Sequence, residues 1–249
     1  MAAYPSAGAE PGATLHYNRA ADVTDPPLLV YRGEHGAGRG VDPFDNTKRC
    51  TPSFTRSREV ARVYAKHPNS AYDDVEDARL GSYYLDIKNP LDLSTRDPDG
   101  NLIDSVATVE HLRTALVGRN GISEDEVFQV LEEVDGWRWF DTASGEADWV
   151  EGSVRDVADE AYVEPHHLGD SPEFVALAER AGYDGLWYNG HFSSEHLLER
   201  PVHEVVAEGG YDDRMFTSEE WRPFRRHQVR LIEVTTAGWA ETTLGLERR

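Results

Sequence analysis

A single cysteine, Cys50, stands among 249 residues. An internal disulfide needs two, and a thiolate metal cluster more, so neither forms within the chain; such usage fits a reducing compartment. Nothing near Cys50 in sequence activates it, and it reads as a semi-buried thiol beside the strand that carries Ser53. Cations are also scarce. Lys and Arg number 25 against 46 Asp and Glu, a net charge of −21. A surface of that sign repels free nucleic acid and anionic membranes, which excludes a phosphate-tracking groove as the main design. The balance suits a well-solvated surface or one adapted to high salt. Long apolar runs are missing: no stretch approaches the ~18 residues of a membrane-spanning helix. No basic segment followed by an apolar run opens the sequence, so no signal peptide is readable and a cytoplasmic protein without a membrane partner is expected. Metal-ligand spacing is lacking too. His166-His167, and His191 with His196, have neither a helical His-Glu-x-x-His frame nor a cysteine partner, so no metal site is expected.

What remains is a globular composition, 39% hydrophobic and 29% charged. Residues 1–25, rich in Ala, Gly and Pro, read as a flexible leader; 26–249 read as one domain. Leu28–Tyr31 is a short apolar run that fits a buried strand. A glycine-rich loop follows, and its Gly33, Gly36, Gly38 and Gly40 are no dinucleotide fingerprint because no helix opens after them. Ser53–Thr55 reads as a strand end, after which Ser57 can cap a helix with Val60, Val63 and Tyr64 on one face. Ser82–Ile87 alternates like a strand and Asn89-Pro90 ends it. Thr108 opens a helix with Val109, Leu112 and Leu116 at helical spacing. Ser123 to Glu126 is a capping box before a second helix. Trp149–Tyr162 is a weaker third candidate. Ser171-Pro172 starts a fourth, ending at Gly182. Strands are expected at Leu186–Tyr188, Val202–Ala207 and Gln228–Val234. The whole is α+β, with a helical insertion at about 104–165 packed outside the core, since its apolar stripes are narrow. Trp137, Trp139 and Trp149 read as packing that insertion onto the core, with a binding face as the alternative.

Three segments carry candidate chemistry: Tyr31-Arg32-Gly33, Ser53-Phe54-Thr55, and Glu220-Trp221-Arg222-Pro223-Phe224 followed by Gln228-Val229. In this order they resemble the Arg–Ser–Glu signature of NAD-dependent ADP-ribosyltransferases. The last is similar to the Glu-(aromatic)-x-x-Phe-x-x-x-Gln-Ile ending of bacterial and phage transferase domains. Tyr84-Leu85-Asp86-Ile87-Lys88-Asn89-Pro90-Leu91 and Gly182-Tyr183-Asp184-Gly185-Leu186 resemble structural strands of the polyvalent-protein type. The resemblance covers about residues 28–90 and 172–235.

It implies a split β-sheet core, NAD as substrate, and a bacterial or phage setting. Cleaving the nicotinamide–ribose bond needs no general acid, because the leaving group is already cationic; it needs a carboxylate beside the oxocarbenium-like ribose. By the resemblance Glu220 is that catalytic carboxylate and binds the 2′-hydroxyl, while Ser53 orients it. Arg32 contacts NAD phosphate or ribose, Gly33 meets the nicotinamide amide, and Ser53 and Phe54 also line the cofactor site, Phe54 where the family has a central threonine. Tyr64 matches an aromatic that packs near nicotinamide. The tract 209–219, with Tyr211, Phe216, Ser218 and Glu219, falls where family members read the acceptor, a macromolecule: protein first, with nucleic acid left open. Arginine-modifying members carry an acidic residue or glutamine two places before the catalytic glutamate. Here Ser218 holds that place, which argues against arginine as acceptor. Two other expectations stand beside transfer: NAD hydrolysis with water as acceptor, and an inactive transferase fold serving as a structural module of a phage particle.

Overall fold

The computed structural model describes residues 27–34, 42–45, 50–58, 60–61, 65, 78–96, 102–103, 105–141, 146–158, 160–191 and 217–236. The leader and the expected strand at Val202–Ala207 lie outside them. Strands in chain order are β1 (Leu28–Glu34), β2 (Phe54–Thr55), β3 (Arg79–Leu85), β4 (Pro90–Asp92), β5 (Thr95–Arg96), β6 (Leu102–Ile103) and β7 (Ala107–Thr108). They continue with β8 (Arg138–Asp141), β9 (Glu146–Trp149), β10 (Ala161–Val163), β11 (Gly185–His191), β12 (Thr217–Pro223) and β13 (Val229–Thr236). The helices are α1 (Val109–Leu116), α2 (Glu124–Leu131), α3 (Pro165–Asp170) and α4 (Pro172–Arg180). The architecture is α+β. No helix among the described residues is long and apolar enough to cross a membrane.

Seven strands form the main sheet in the order β13-β3-β1-β2-β12-β11-β4. Only β4 against β11 is parallel; the other pairs are antiparallel. Burial on both faces explains the near-continuous apolar character of the central segments. On β11, Leu186 and Tyr188 enter one core and Trp187 the other, as a two-residue period requires. The second core joins Trp187 to Val30, Phe54, Tyr83, Leu85, Ile87 and Trp221, with the two indoles stacked at 5.7 Å. Leu28–Tyr31 is less buried than its sequence implies: Val30 is fully buried, whereas Leu29 is 43% exposed.

The helix starts are legible residue by residue. Thr108 accepts from the amide of His111, Ser123 from that of Glu126, and Ser171 from that of Phe174. Each satisfies one amide that the first helical turn leaves orphaned. Ser57 accepts from Val60 in the same way. Cys50 is half-buried; burial and the carboxylates of Asp170 and Glu173 push its thiol up, away from the thiolate a nucleophile needs.

The insertion corrects the expectation in two respects. Between 104 and 165 lie α1 and α2 but also a four-stranded sheet, β7-β10-β8-β9. Trp149–Tyr162 is not a helix: Trp149 ends β9, a 3-10 turn spans Val154–Val157, and β10 begins at Ala161. Gly152, at φ 139°, breaks the helical path in a conformation that side chains disfavour. Nor is the insertion packed apart. Leu112, Leu116, Phe128, Leu131 and Val163 share one core with Phe174 of α4 and with Leu186 and Tyr188 of the main sheet. Trp137 is buried and donates to the carbonyl of Leu131 at 2.8 Å, while Trp149 is 55% exposed under the guanidinium of Arg138.

The two family-like strand segments and Gln228 meet in a polar knot. The Asp184 carboxylate accepts from the amides of Lys88 and Asn89 at 2.7 and 2.8 Å. Asn89 donates to the Gly182 carbonyl, and buried Gln228 donates to that of Asp184 at 2.8 Å. These motif residues join β3, β11 and β13.

Two histidines make stability fall on acidification. Burial pushes His111 below its ordinary value, against the pull of Asp92; burial and neighbouring His166 do the same to His167. A depressed histidine resists protonation when folded, so the unfolded chain gains protons first as pH falls below about 6.5. Thermal melts should show a lower Tm at about pH 5.5 than at about pH 7.5, and replacing both histidines with Gln should flatten that difference.

Candidate active site

Tyr31, Thr55, Glu220 and Tyr188 stand abreast on β1, β2, β12 and β11, each paired in register with the next. Alternation places Glu220 and Arg222 on one face of β12 and Trp221 on the other. Ser53, two residues before Thr55, points to the Glu220 side. Its hydroxyl donates to Oε2 of Glu220 across 167 residues of sequence. Tyr188 donates its phenol to the same Oε2 at 3.0 Å. Oε1 takes no hydrogen bond among the described residues.

Arg32 braces this arrangement from β1. Its Nη1 donates to the Ser53 carbonyl at 2.9 Å and its Nε to Glu34 at 2.6 Å. The pairing with Glu34 already meets much of its charge, and Nη2 is the part left for a ligand. Arg32, Ser53 and Glu220, distant in sequence, are therefore brought together.

Other candidates are placed differently. Phe54 is 1% exposed and packs edge-on against Tyr83 at 5.1 Å, so its ring serves the core and is not open to a cofactor. Gly33 faces the helical residues Ala61 and Ala65, where a Cβ would collide with the Ala61 carbonyl oxygen and the Ala65 amide. Its missing side chain thus serves helix packing first. Glu219 is half-buried on the face opposite Glu220, 3.5 Å from Arg56. Ser218 lies on β12, with its side chain outside the described residues. Tyr64, Tyr211 and Phe216 lie outside them altogether. A surface groove of about 560 Å³, lined by residues including Tyr84, Lys88, Gln228 and Arg230, contains none of the candidates.

Two neighbours were not foreseen. Tyr188 is opposite Glu220 only once the β11–β12 register is known. Arg222 is two residues from Glu220 in sequence, but the strand that puts both on one face was not among those expected. Arg222 is fully buried, donating from Nη1 to Asp170 at 2.6 Å and to the His166 carbonyl at 3.1 Å. Its Nε and Nη2 are buried and meet no acceptor among the described residues. Burial works against its charge, yet Tyr188, Asp170 and Glu220 hold the guanidinium above its ordinary value. Gly169 makes room: a Cβ there would lie 2.5 Å from Nη1 and 2.6 Å from Cδ of Arg222. Gly169→Ala should therefore destabilise the fold by about 1–3 kcal/mol, read as the midpoint of urea unfolding.

Comparisons of the chain with protein-family models, with curated proteins and with solved structures gave no match.

Proposed function

We propose that the chain is a mono-ADP-ribosyltransferase with a split-sheet transferase core, cleaving the nicotinamide–ribose bond of NAD and passing ADP-ribose to a macromolecular acceptor. One observation carries the reading: the Ser53 hydroxyl on the Glu220 carboxylate, with Arg32 bound to the carbonyl of that same serine. A serine–glutamate pair closed across the sheet and braced by a strand arginine is what the motif resemblance calls for.

The donor set fits the substrate. Oε1 of Glu220 is available to accept from a ribose hydroxyl, and its negative charge stands where an oxocarbenium ion needs it. Nη2 of Arg32 can meet a ribose or phosphate oxygen. In the step proposed, the C1′–N bond breaks with its electron pair leaving on the nicotinamide nitrogen, which neutralises the cationic ring. The acceptor nucleophile then bonds to C1′ and releases a proton. Glu220 stabilises the charge between these events, while Ser53 and Arg32 hold it in place.

The test is incubation of the full chain with adenylate-labelled NAD and a bacterial lysate. Label in protein, or in nucleic acid, supports transfer. Free ADP-ribose alone, with no labelled acceptor, assigns hydrolysis instead. No NAD consumption and no NAD affinity would leave a structural module.

A further inference from the structure

The geometry points to Tyr188 as a positioning residue for Glu220, backed by the buried guanidinium of Arg222. This inference rests on the transferase reading and adds two residues to its machinery. Ser53 and Tyr188 donate to the same carboxylate oxygen from opposite sides, one from the approach to β2 and one from β11, the two strands that flank β12. Two donors converging on Oε2 fix the carboxylate's torsion and turn Oε1 outward as the acceptor for a ribose hydroxyl. A glutamate held by Ser53 alone can rotate about its last bond; one held from both sides cannot. Tyr188 is 2% exposed, so its ring is held by packing while its phenol donates to Glu220.

Arg222 accounts for the second half. A fully buried guanidinium with two nitrogens lacking acceptors is destabilising by itself, because stripped donors lose their water without replacement. It is nevertheless locked by Asp170, by the His166 carbonyl and by Gly169. Its field acts on both the Tyr188 phenol and the Glu220 carboxylate. Arg222 follows Glu220 by two residues on β12 and stands on the same face, so its fixed positive charge attracts the carboxylate from behind. The position thus serves the site at the expense of stability.

Nicotinamide release by the full chain, normalised to folded protein, tests this. Tyr188→Phe keeps ring and packing and removes only the donor. Its kcat should fall about ten- to a hundredfold, the rate equivalent of one hydrogen bond to a charged group, with KM for NAD within about twofold. A merely structural tyrosine would lower Tm and leave kcat per folded molecule unchanged. Arg222→Met should lower kcat similarly, and Arg222→Lys, which keeps the charge, should recover part of it. If Arg222→Met does not fold, the Tyr188 result decides. Should Tyr188→Phe keep wild-type kcat in a protein that Glu220→Gln inactivates, this inference fails and the transferase reading stands. An unchanged kcat with a raised KM overturns it as well, by making Tyr188 a substrate contact. A wild-type chain that releases no nicotinamide removes both.

Discussion

Glu220→Gln should lower NAD turnover by at least about 10²–10³, the usual loss when one transition-state electrostatic contact is removed. Glutamine keeps the length of the side chain and an oxygen that Ser53 and Tyr188 can reach, but not the negative charge that the transferase reading sets against the ribose. The ground state carries little of that demand, so affinity for NAD should change far less than kcat, and equilibrium binding beside turnover separates the two. Folding should survive, since a carboxylate in a protein of net charge −21 adds to self-repulsion. Glu219→Gln is the internal comparison. Its carboxylate lies on the other face of β12 near Arg56, so it should do much less to bond cleavage. Turnover lost in Glu219→Gln and kept in Glu220→Gln would move the motif by one residue. Full activity in both would remove the Arg–Ser–Glu assignment.

Gly33→Ala should be the most damaging single-methyl change. The added Cβ runs into the carbonyl oxygen of Ala61 and the amide of Ala65, and lies 3.0 Å from the Ala65 Cα. These are backbone atoms, which cannot swing aside as the end of a long side chain can. Either β1 or the helical residues must shift. Overpacking of this kind costs about 1–3 kcal/mol, and the rigid neighbours put this case at about 3. For a chain of this size that is a fall in Tm of about 6–12 °C. Turnover should fall with it, because Arg32 is the next residue and its hold on Ser53 moves with β1. A variant within about 2 °C of the wild type and fully active would show that the close approach at Gly33 relaxes at little cost.

The sequence foretold what is written locally. Caps at Thr108, Ser123 and Ser171 each lie a few residues from the amide they satisfy, and each was readable. The segments bearing Arg32, Ser53 and Glu220 were singled out by short motifs, and the three residues meet in the fold, although the strand Thr217–Pro223 that carries Glu220 was not among those expected. Pairings over long separations were not readable. Tyr188 faces Glu220 through a register that no local pattern states, and Phe54 entered the core because Tyr83, a partner on β3, awaited its ring. The strands of the insertion escaped notice for a different reason. β7 has two residues and β10 three, too short for alternation to register, and β8 and β9 are rich in charge. Asp184 and Gln228 belonged to legible motifs, yet their role in tying three strands together shows only when their partners are in place.

β2 is two residues long and sits at the middle of seven strands. On one side β1 and β3 run together over seven residues, and on the other β11 and β12 do the same. Within the sheet Phe54 and Thr55 alone carry the ladder between the halves, while the core around Trp187 and Trp221 and the Asp184 knot join them through side chains. The molecule is thus shaped like two stiff leaves sewn by a short seam, with the proposed catalytic carboxylate one strand from the stitching. The ladder across the seam is short, yet parting the leaves would expose the core that Val30, Phe54, Tyr83, Trp187 and Trp221 share, so buried side chains hold the seam more than backbone bonds do. The same seam carries the Ser53–Glu220 hydrogen bond, so the proposed catalytic pair depends on the packing that holds the two leaves together.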